Sequence, residues 1–320
     1  MSNTDVAILI PCYNEGLTIG KVVKDCKNAT SDIDQQVTVF VYDNNSTDNT
    51  VEESLNAGAI VGHVYQQGKG NVVRQMFQDI NAKCYVLIDG DDTYSTKSIP
   101  NMIRSVLYRR TDMVVGDRLS SSYFSENKRL FHNFGNSLVR FCINSIFHSN
   151  IKDVMTGYRA FSYRFVKTFA VLSKGFEIET EMSIVAIENN MLIENQVIDY
   201  QDRPEGSTSK LNTYSDGIKV LKKIISLFRN YRPLQFFSLL SIIGIVISIA
   251  LFIPNVWLPF MKTGLVEKIP TLISCGFLLL ISVISYFSGL ILDAILKKEE
   301  REFEFRLQVV SNSYDKLFKK

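Results

Sequence analysis

The sequence predicts an α/β domain with a mostly parallel sheet, followed by an interfacial helix and a membrane-spanning hairpin. Two observations support this prediction: short apolar runs alternate with amphipathic stretches before Pro233, and two long uncharged runs follow it. The 320 residues suffice for one large core with an appendage. Because 35 Lys and Arg residues nearly balance 33 Asp and Glu residues, no global charge favours nucleic acid as a partner.

Four short runs have the length and apolar composition of strands, and turn residues bound them: residues 6–10, 37–42, 85–88 and 113–115. Amphipathic helical patterns separate the first of these runs, which is typical of βαβ units with parallel strands. The five cysteines form no C-x-x-C pair, so we interpret them as reduced and structural.

The C-terminal part contains two runs long enough to cross a bilayer as helices. Residues 234–253 and residues 271–292 carry no charge. A hydrophobic hairpin buried in a soluble core is the alternative, and the length of both runs argues against it. Lysines and arginines precede the first run and follow the second, so the positive-inside rule predicts that both termini are cytoplasmic.

These boundaries divide the chain into four predicted parts. They are a cytoplasmic α/β domain at residues 1–212, an amphipathic juxtamembrane helix at 213–232, two transmembrane helices at 233–296, and a charged cytoplasmic tail at 297–320. The juxtamembrane segment has one apolar helical face with lysines away from its centre, which suits a helix in the headgroup layer. An ordinary helix packed on the domain has the same pattern.

Polar residues follow the first two predicted strands at the edge of the sheet where α/β folds bind ligands. The first strand leads into Pro11-Cys12-Tyr13-Asn14-Glu15, and the second into Asp43-Asn44-Asn45-Ser46-Thr47-Asp48. Both segments are compatible with simple turns that cap the next helix. The aspartate at the second strand end is equally suited to accept hydrogen bonds from a ribose or a base.

The acidic segment Asp89-Gly90-Asp91-Asp92 is the strongest local signal. A buried strand brings its three carboxylates to one edge, where like charges repel unless a cation neutralises them. Mg²⁺ or Mn²⁺ bridged to a diphosphate meets this demand, and a surface acidic turn is the alternative. The glycine-rich segment at residues 67–71 lacks the Walker spacing, yet Lys69 and Arg74 are suitable cations for a pyrophosphate.

In this order, the segments resemble the nucleotide-binding half of family-2 glycosyltransferases with the GT-A fold. The resemblance continues in Gly116-Asp117-Arg118 and in residues 133–136, 153–161 and 203–211. Their order resembles polyisoprenyl-phosphate glycosyltransferases, including dolichyl-phosphate mannose synthases and bacterial undecaprenyl-phosphate sugar synthases. The resemblance covers roughly residues 6–211, and the two predicted spans that follow agree with the bacterial members of the family.

The resemblance implies roles for the matching positions. The residues implied for the nucleotide sugar are Pro11, Tyr13, Glu15, Asp43, Lys69, Asp89 and Asp91, of which Asp89 and Asp91 also bind the metal. Those implied for the acceptor phosphate are Arg118, Arg129, Ser137, Arg203 and Lys210, and the implied catalytic set is Asp91, Asp153 and Arg118. Asn44 and Thr93-Tyr94 depart from the family pattern, and the second departure leaves the completion of the metal shell open.

The implied activity is the inverting, metal-dependent transfer of a sugar to undecaprenyl phosphate at the cytoplasmic face of the cell membrane. UDP-glucose or UDP-N-acetylglucosamine is the implied donor, the product serves cell-envelope glycans, and the resemblance also suggests a homotetramer. The acceptor phosphate needs little deprotonation, because the second pKa of phosphoesters is about 6.

Two other functions fit parts of the sequence. A processive polysaccharide synthase usually carries a Q-x-x-R-W motif and more spans, whereas the single Trp here is Trp257, in the connector between the two runs. A non-catalytic membrane scaffold is the second, and the intact Asp89, Asp91 and Arg118 argue against it.

The loop with Arg203 and Lys210 is predicted to close over the phosphates, and a plain linker to the membrane is the alternative. Arg203→Ala and Lys210→Ala should each lower the sugar-transfer rate at least about tenfold, the effect of roughly 1.4 kcal/mol lost in the transition state. Rates are measured in bilayers with undecaprenyl phosphate and saturating donor, and membrane association should not change. Wild-type rates for both variants would leave only the linker.

Overall fold

The computed structural model describes residues 2–121, 140–147, 149–175, 177–201, 222, 225, 226 and 228–319. The chain divides into two compact units, one made of Met1–Leu221 with Phe303–Lys320 and the other of Lys222–Glu302. The four-part division predicted from the sequence stays a prediction, because its boundary at residue 212 and most of the juxtamembrane segment lie outside the described residues.

The described residues of the first unit form a seven-stranded sheet. Its strands are β1 (Ser2–Cys12), β2 (Val37–Asp43), β3 (Ile60–His63), β4 (Ile80–Leu87), β5 (Met113–Asp117), β6 (Arg159–Ser162) and β7 (Ile193–Val197). Their spatial order is β3-β2-β1-β4-β6-β5-β7. Neighbouring strands are parallel except where β6 runs antiparallel to β4 and β5, so the predicted mostly parallel sheet is confirmed.

Helices connect the strands of this sheet. They are α1 (Ile19–Ala29), α2 (Thr50–Asn56), α3 (Lys69–Asp79), α4 (Ile99–Tyr108), α5 (Tyr163–Thr168) and α6 (Ile178–Glu188), and residues 140–147 are also helical. The apolar residues of α1 recur at helical spacing and are buried in the same cluster as one face of β1. The other face of β1 is equally buried, which is why the predicted run at residues 6–10 is apolar throughout.

Arg159, at the start of β6, is a fully buried cation that fixes the preceding loop. Its guanidinium donates to the carbonyl oxygens of Val154 (2.6 Å) and Thr156 (3.0 Å) and to Ser183 Oγ on α6 (2.9 Å). Burial lowers the pKa of Arg159 to about 10, so the group stays charged near neutral pH. The loop at residues 153–157 is therefore anchored to the sheet and to α6 at once.

The second unit contains the two predicted membrane runs. The first comprises α7 (Pro233–Phe252), a π-helical turn (Ile253–Trp257) and α8 (Leu258–Thr263), and the second begins α9 (Ile269–Phe318). Both are long and apolar enough to cross a membrane. Only 11% and 17% of the residues in the most apolar stretches of these two runs are buried. Such exposure favours membrane association over a hairpin buried in a soluble core. The connector predicted at residues 254–270 is helical as far as Thr263.

Small residues let α7 and α9 approach closely in an antiparallel arrangement. A Cβ on Gly244 would lie 2.2 Å from Ser282 Oγ, and Ser248 Oγ donates to the Cys275 carbonyl at 3.0 Å. Close packing of this kind is what holds helices together in lipid, where no hydrophobic force drives them.

The last part of α9 belongs to the first unit. The ring centroids of Tyr314 and Phe318 lie 5.5 Å and 5.8 Å from that of Tyr163 on α5. The sequence does not indicate a role for the charged tail. In the structure, two aromatic residues near its end contact the sheet-containing unit.

Arg159→Met should lower the free energy of unfolding by about 3 kcal/mol, because buried carbonyl groups lose their donor. Unfolding is followed by circular dichroism of the detergent-solubilised chain in denaturant. The control is Arg164→Met, since the Arg164 side chain is half exposed and meets Asp112 only at 3.9 Å. Equal unfolding free energies for the two variants would contradict the anchoring role.

Candidate active site

The predicted site lies at the edge of the sheet where the parallel strands end. β1, β2, β3 and β4 run in one direction, so the segments that follow them open on the same edge. The structure describes Pro11, Tyr13, Glu15, Asp43, Lys69, Asp89, Asp91, Arg118 and Asp153. Arg129, Ser137, Arg203 and Lys210 lie outside the described residues, so their contacts with an acceptor phosphate stay predictions.

The loops after β1 and β2 brace each other. The Asn14 backbone N–H donates to Ser46 Oγ at 2.8 Å, and the Glu15 N–H donates to Thr50 Oγ1 at 2.9 Å. These bonds satisfy the backbone of the first loop from within the protein, while the Tyr13 side chain remains 37% exposed. The two loops thus hold each other in place, and the Tyr13 ring beside them stays partly exposed.

Asp43 and Asn44, at the end of β2, have different tasks. The buried Asp43 carboxylate accepts the Ser46 N–H at 3.2 Å and lies 3.5 Å from His63 Nδ1. The Asn44 amide donates to the Val64 carbonyl at 2.7 Å, and its oxygen accepts the Gly68 N–H, also at 2.7 Å. An aspartate could accept the Gly68 N–H but could not donate to the Val64 carbonyl, so this departure from the family pattern adds a bond from β2 to the residue after β3.

The glycines of residues 67–71 permit close approach to another part of the protein. The Gly70 N–H donates to the Lys174 carbonyl at 3.0 Å, and a Cβ on Gly70 would lie 2.1 Å from the Ser173 carbonyl oxygen. The Arg74 guanidinium donates to the Val171 carbonyl. These contacts pack the segment against residues 171–174. They account for the glycines and for Arg74 without a bound pyrophosphate.

Lys69 begins α3 and is buried between two carboxylates. Its Nζ lies 2.6 Å from Asp89 Oδ1 and 2.7 Å from Glu179 Oε1, in the first turn of α6. Burial alone would lower the pKa of Lys69, but the two carboxylates raise it above its ordinary value. Glu179 was not predicted, because Glu177 and Glu181 lie close to it in the sequence and no local pattern distinguishes it from them.

The three carboxylates of residues 89–92 are separated in space. Asp89 faces Lys69, Asp92 is paired with Lys21 at 2.7 Å, and Asp91 Oδ1 accepts from Thr93 Oγ1 at 2.7 Å. Lysines therefore relieve part of the repulsion that the sequence suggested a metal must relieve. Among the described residues, no three His, Cys, Asp or Glu side chains gather as a ready metal cluster.

Asp89 and Asp91 nevertheless fit a magnesium or manganese ion that arrives with a diphosphate. Such ions are usually held by one or two carboxylates, while substrate phosphates and water complete the shell. Two carboxylates in the segment after β4 meet this requirement for number and kind of oxygen donor. The fit requires Asp89 to share its charge between the ion and Lys69.

Arg118 and Asp153 form a buried bidentate pair. Arg118 Nε donates to Asp153 Oδ2 at 2.7 Å, and Nη2 donates to Oδ1 at 3.1 Å. Burial alone would lower the pKa of Arg118, but Tyr94 and Asp153 raise it above its ordinary value. The Tyr94 hydroxyl also accepts the Gly157 N–H at 3.2 Å, and the guanidinium lies over the Tyr200 ring. Tyr94, another departure from the family pattern, thus helps to place Arg118.

Comparisons with known proteins agree with this geometry. Residues 7–169 match the model of Glycosyl transferase family 2. The chain belongs to this family and is a hexosyltransferase, as the sequence predicted.

Its relatives include a glycosyltransferase and a dolichyl-phosphate glucosyltransferase. The chain is 30% identical to glycosyltransferase AglJ of Haloferax volcanii over 255 residues, 79% of this chain and 82% of that protein. It is 23% identical to the dolichyl-phosphate beta-glucosyltransferase of Saccharomyces cerevisiae, covering 69% of this chain and 73% of that protein.

A solved structure confirms the predicted GT-A fold. It is glucosyl-3-phosphoglycerate synthase from Mycobacterium tuberculosis, in complex with Mn²⁺, UDP-glucose and phosphoglyceric acid. The match has a TM-score of 0.54 at 18% identity, and it covers 71% of this chain and 79% of that one.

Asp153→Asn should lower the free energy of unfolding by about 3 kcal/mol, because it leaves the Arg118 guanidinium buried without its counter-charge. The double variant Arg118→Gln/Asp153→Asn should lose less than the sum of the single variants, by at least about 1 kcal/mol. Chemical unfolding of all four proteins measures this coupling. Strict additivity would show that the two side chains do not support each other.

Proposed function

We propose that the chain transfers glucose or N-acetylglucosamine from a UDP-linked donor to undecaprenyl phosphate at the cytoplasmic face of the cell membrane. The supporting observation is the combination of a family-2 transferase domain with two exposed apolar spans in one chain. A water-soluble acceptor would not require the spans, whereas a lipid phosphate brings its headgroup to the membrane surface. The name of the yeast relative supports the same class of acceptor.

The donor side of the site is proposed at the ends of β1, β2 and β4. Tyr13 offers an exposed ring to the base and Asp43 an acceptor for the ribose, beside Pro11 and Glu15. Asp89 and Asp91 would hold Mg²⁺ or Mn²⁺, which neutralises the diphosphate and stabilises it as it leaves.

The acceptor side is proposed around Arg118, together with Arg129, Ser137, Arg203 and Lys210. A phosphate oxygen attacks the anomeric carbon directly and inverts it, and the electron pair of the broken bond leaves with the diphosphate. Because the phosphate is already anionic, no base is needed. Both carboxylate oxygens of Asp153 accept hydrogen bonds from the Arg118 guanidinium. The proposed role of Asp153 is therefore to orient this cation rather than to take a proton.

The proposed topology has two spans, with the transferase domain and both termini in the cytoplasm. The juxtamembrane segment at residues 213–232 would lie in the headgroup layer. Lipid-linked sugar made there would supply cell-envelope glycan modification. The homotetramer stays a prediction. A processive synthase is less well supported, because the described residues contain two candidate spans.

The proposal is tested with purified protein, undecaprenyl phosphate and a panel of radiolabelled nucleotide sugars, with and without Mg²⁺ or Mn²⁺. Extraction of the label into the lipid phase identifies the donor and acceptor together. The expected result is labelled lipid from a UDP-hexose only when a divalent ion is present. Polymeric product would favour the processive synthase, and no transfer from any donor would favour the scaffold.

Asp91→Asn should abolish transfer, because it removes a charge from the metal site with little change in volume. Asp92→Asn is the matched control, since Asp92 is paired with Lys21 and has a left-handed φ of 57°, which asparagine tolerates. We expect Asp92→Asn to keep its rate within about fivefold of wild type. Both variants are assayed over a Mn²⁺ titration; equal losses would contradict the assignment of Asp91.

A further inference from the structure

A buried carboxylate from α6 reaches the proposed metal site through Lys69. The ammonium group of Lys69 joins Glu179 Oε1 (2.7 Å) to Asp89 Oδ1 (2.6 Å), and 5% of the Glu179 side chain is exposed. A Cβ on Gly157 would lie 2.6 Å from Asp89 Oδ2 and 2.8 Å from Lys69 Nζ, so that glycine closes one side of the cluster. The three charged groups are therefore packed into one place.

Glu179 is not explained by the needs of its own helix. Its other oxygen, Oε2, is buried and has no hydrogen-bond partner among the residues that the structure describes. By contrast, the buried Glu181, two residues further along α6, accepts the backbone N–H groups of Leu172 and Ser173. Glu181 thus supports a loop, whereas the described hydrogen bond of the Glu179 side chain is to Lys69. Arg159 adds a favourable charge nearby.

Two cations compete for the Asp89 carboxylate when a metal–diphosphate binds. Lys69 holds one of its oxygens, and a divalent ion at Asp89 and Asp91 needs the same carboxylate. If Lys69 had Asp89 as its sole anionic partner, freeing Asp89 would leave a buried ammonium without compensation, which is costly. A second carboxylate removes that cost, because Lys69 stays paired while Asp89 turns to the ion.

We propose that Glu179 is a positioning residue that retains Lys69 and thereby frees Asp89 for the metal–diphosphate of the donor. Lys69 then remains beside Asp89, where its ammonium can donate to the same diphosphate. The inference rests on the proposed function, since it assumes that Asp89 serves a metal-bound nucleotide. It assigns to α6 a part in donor binding that the sequence did not indicate.

The test measures Mn²⁺ binding to the purified full chain in the presence of UDP, by electron paramagnetic resonance of free Mn²⁺, without sugar transfer. Glu179→Gln should weaken Mn²⁺ binding at least about fivefold, because Lys69 then holds Asp89 more firmly. Lys69→Met removes the competing cation. In that background, adding Glu179→Gln should change Mn²⁺ binding by less than about twofold.

Glu181→Gln is the matched control for loss of a buried carboxylate in the same helix. It should lower the melting temperature but keep Mn²⁺ binding within about twofold of wild type. Glu179→Asp keeps the charge and shortens its reach; it should weaken binding at least about twofold, and it replaces Glu179→Gln if that variant does not fold.

The outcomes separate this inference from the proposed function. Wild-type protein that binds no Mn²⁺ with UDP would overturn both. Wild-type protein that binds, together with unchanged binding in Glu179→Gln and Glu179→Asp, would overturn the positioning role alone. An equal loss from Glu179→Gln with and without Lys69 would also overturn it, because the effect would then not act through the lysine.

Discussion

The neutralisation of buried negative charge at one edge of the sheet is the constraint on which the rest of the site depends. Parallel strands deliver acidic side chains to that edge, and a buried carboxylate is tolerated only with a partner. Each partner comes from a different element: Lys21 from α1, Lys69 from α3 and Arg118 from the segment after β5. Ion pairs thus hold the helices in place together with apolar packing. Loss of one acidic residue therefore leaves a cation on another element without its counter-charge.

Hydrogen bonds from side chains to the main chain of neighbouring loops provide the second level of order. Asn44 connects the end of β2 to the glycine-rich segment, which in turn packs on residues 171–174, and Glu181 of α6 holds that stretch from behind. These bonds satisfy backbone groups that would otherwise need hydrogen bonds to water. They thereby fix the positions of the loops around the site. Within this frame, Lys69 is paired with both Asp89 and Glu179.

The sequence predicted those parts that follow from local pattern. β1, β2, β4 and β5 are buried apolar runs, whereas β3 and β6 were missed because they are four residues long and contain polar or half-exposed residues. Motif order identified the acidic edge and Arg118. It did not reveal Glu179 or the lysine partners, because which cation meets which carboxylate depends on contacts between distant segments. The spans were predicted, but their helices extend beyond the uncharged runs, since backbone hydrogen bonding does not stop where charge begins.

The membership of residues 303–320 in the first unit has a consequence for how the chain is made. A ribosome releases the strands and α1–α6 first, then the two apolar spans, and only afterwards the residues that carry Tyr314 and Phe318. Those aromatic rings can meet Tyr163 only after both spans have been synthesised. The first unit is therefore discontinuous in time as well as in sequence, because it acquires the helical segment at residues 303–318 only after the spans have emerged.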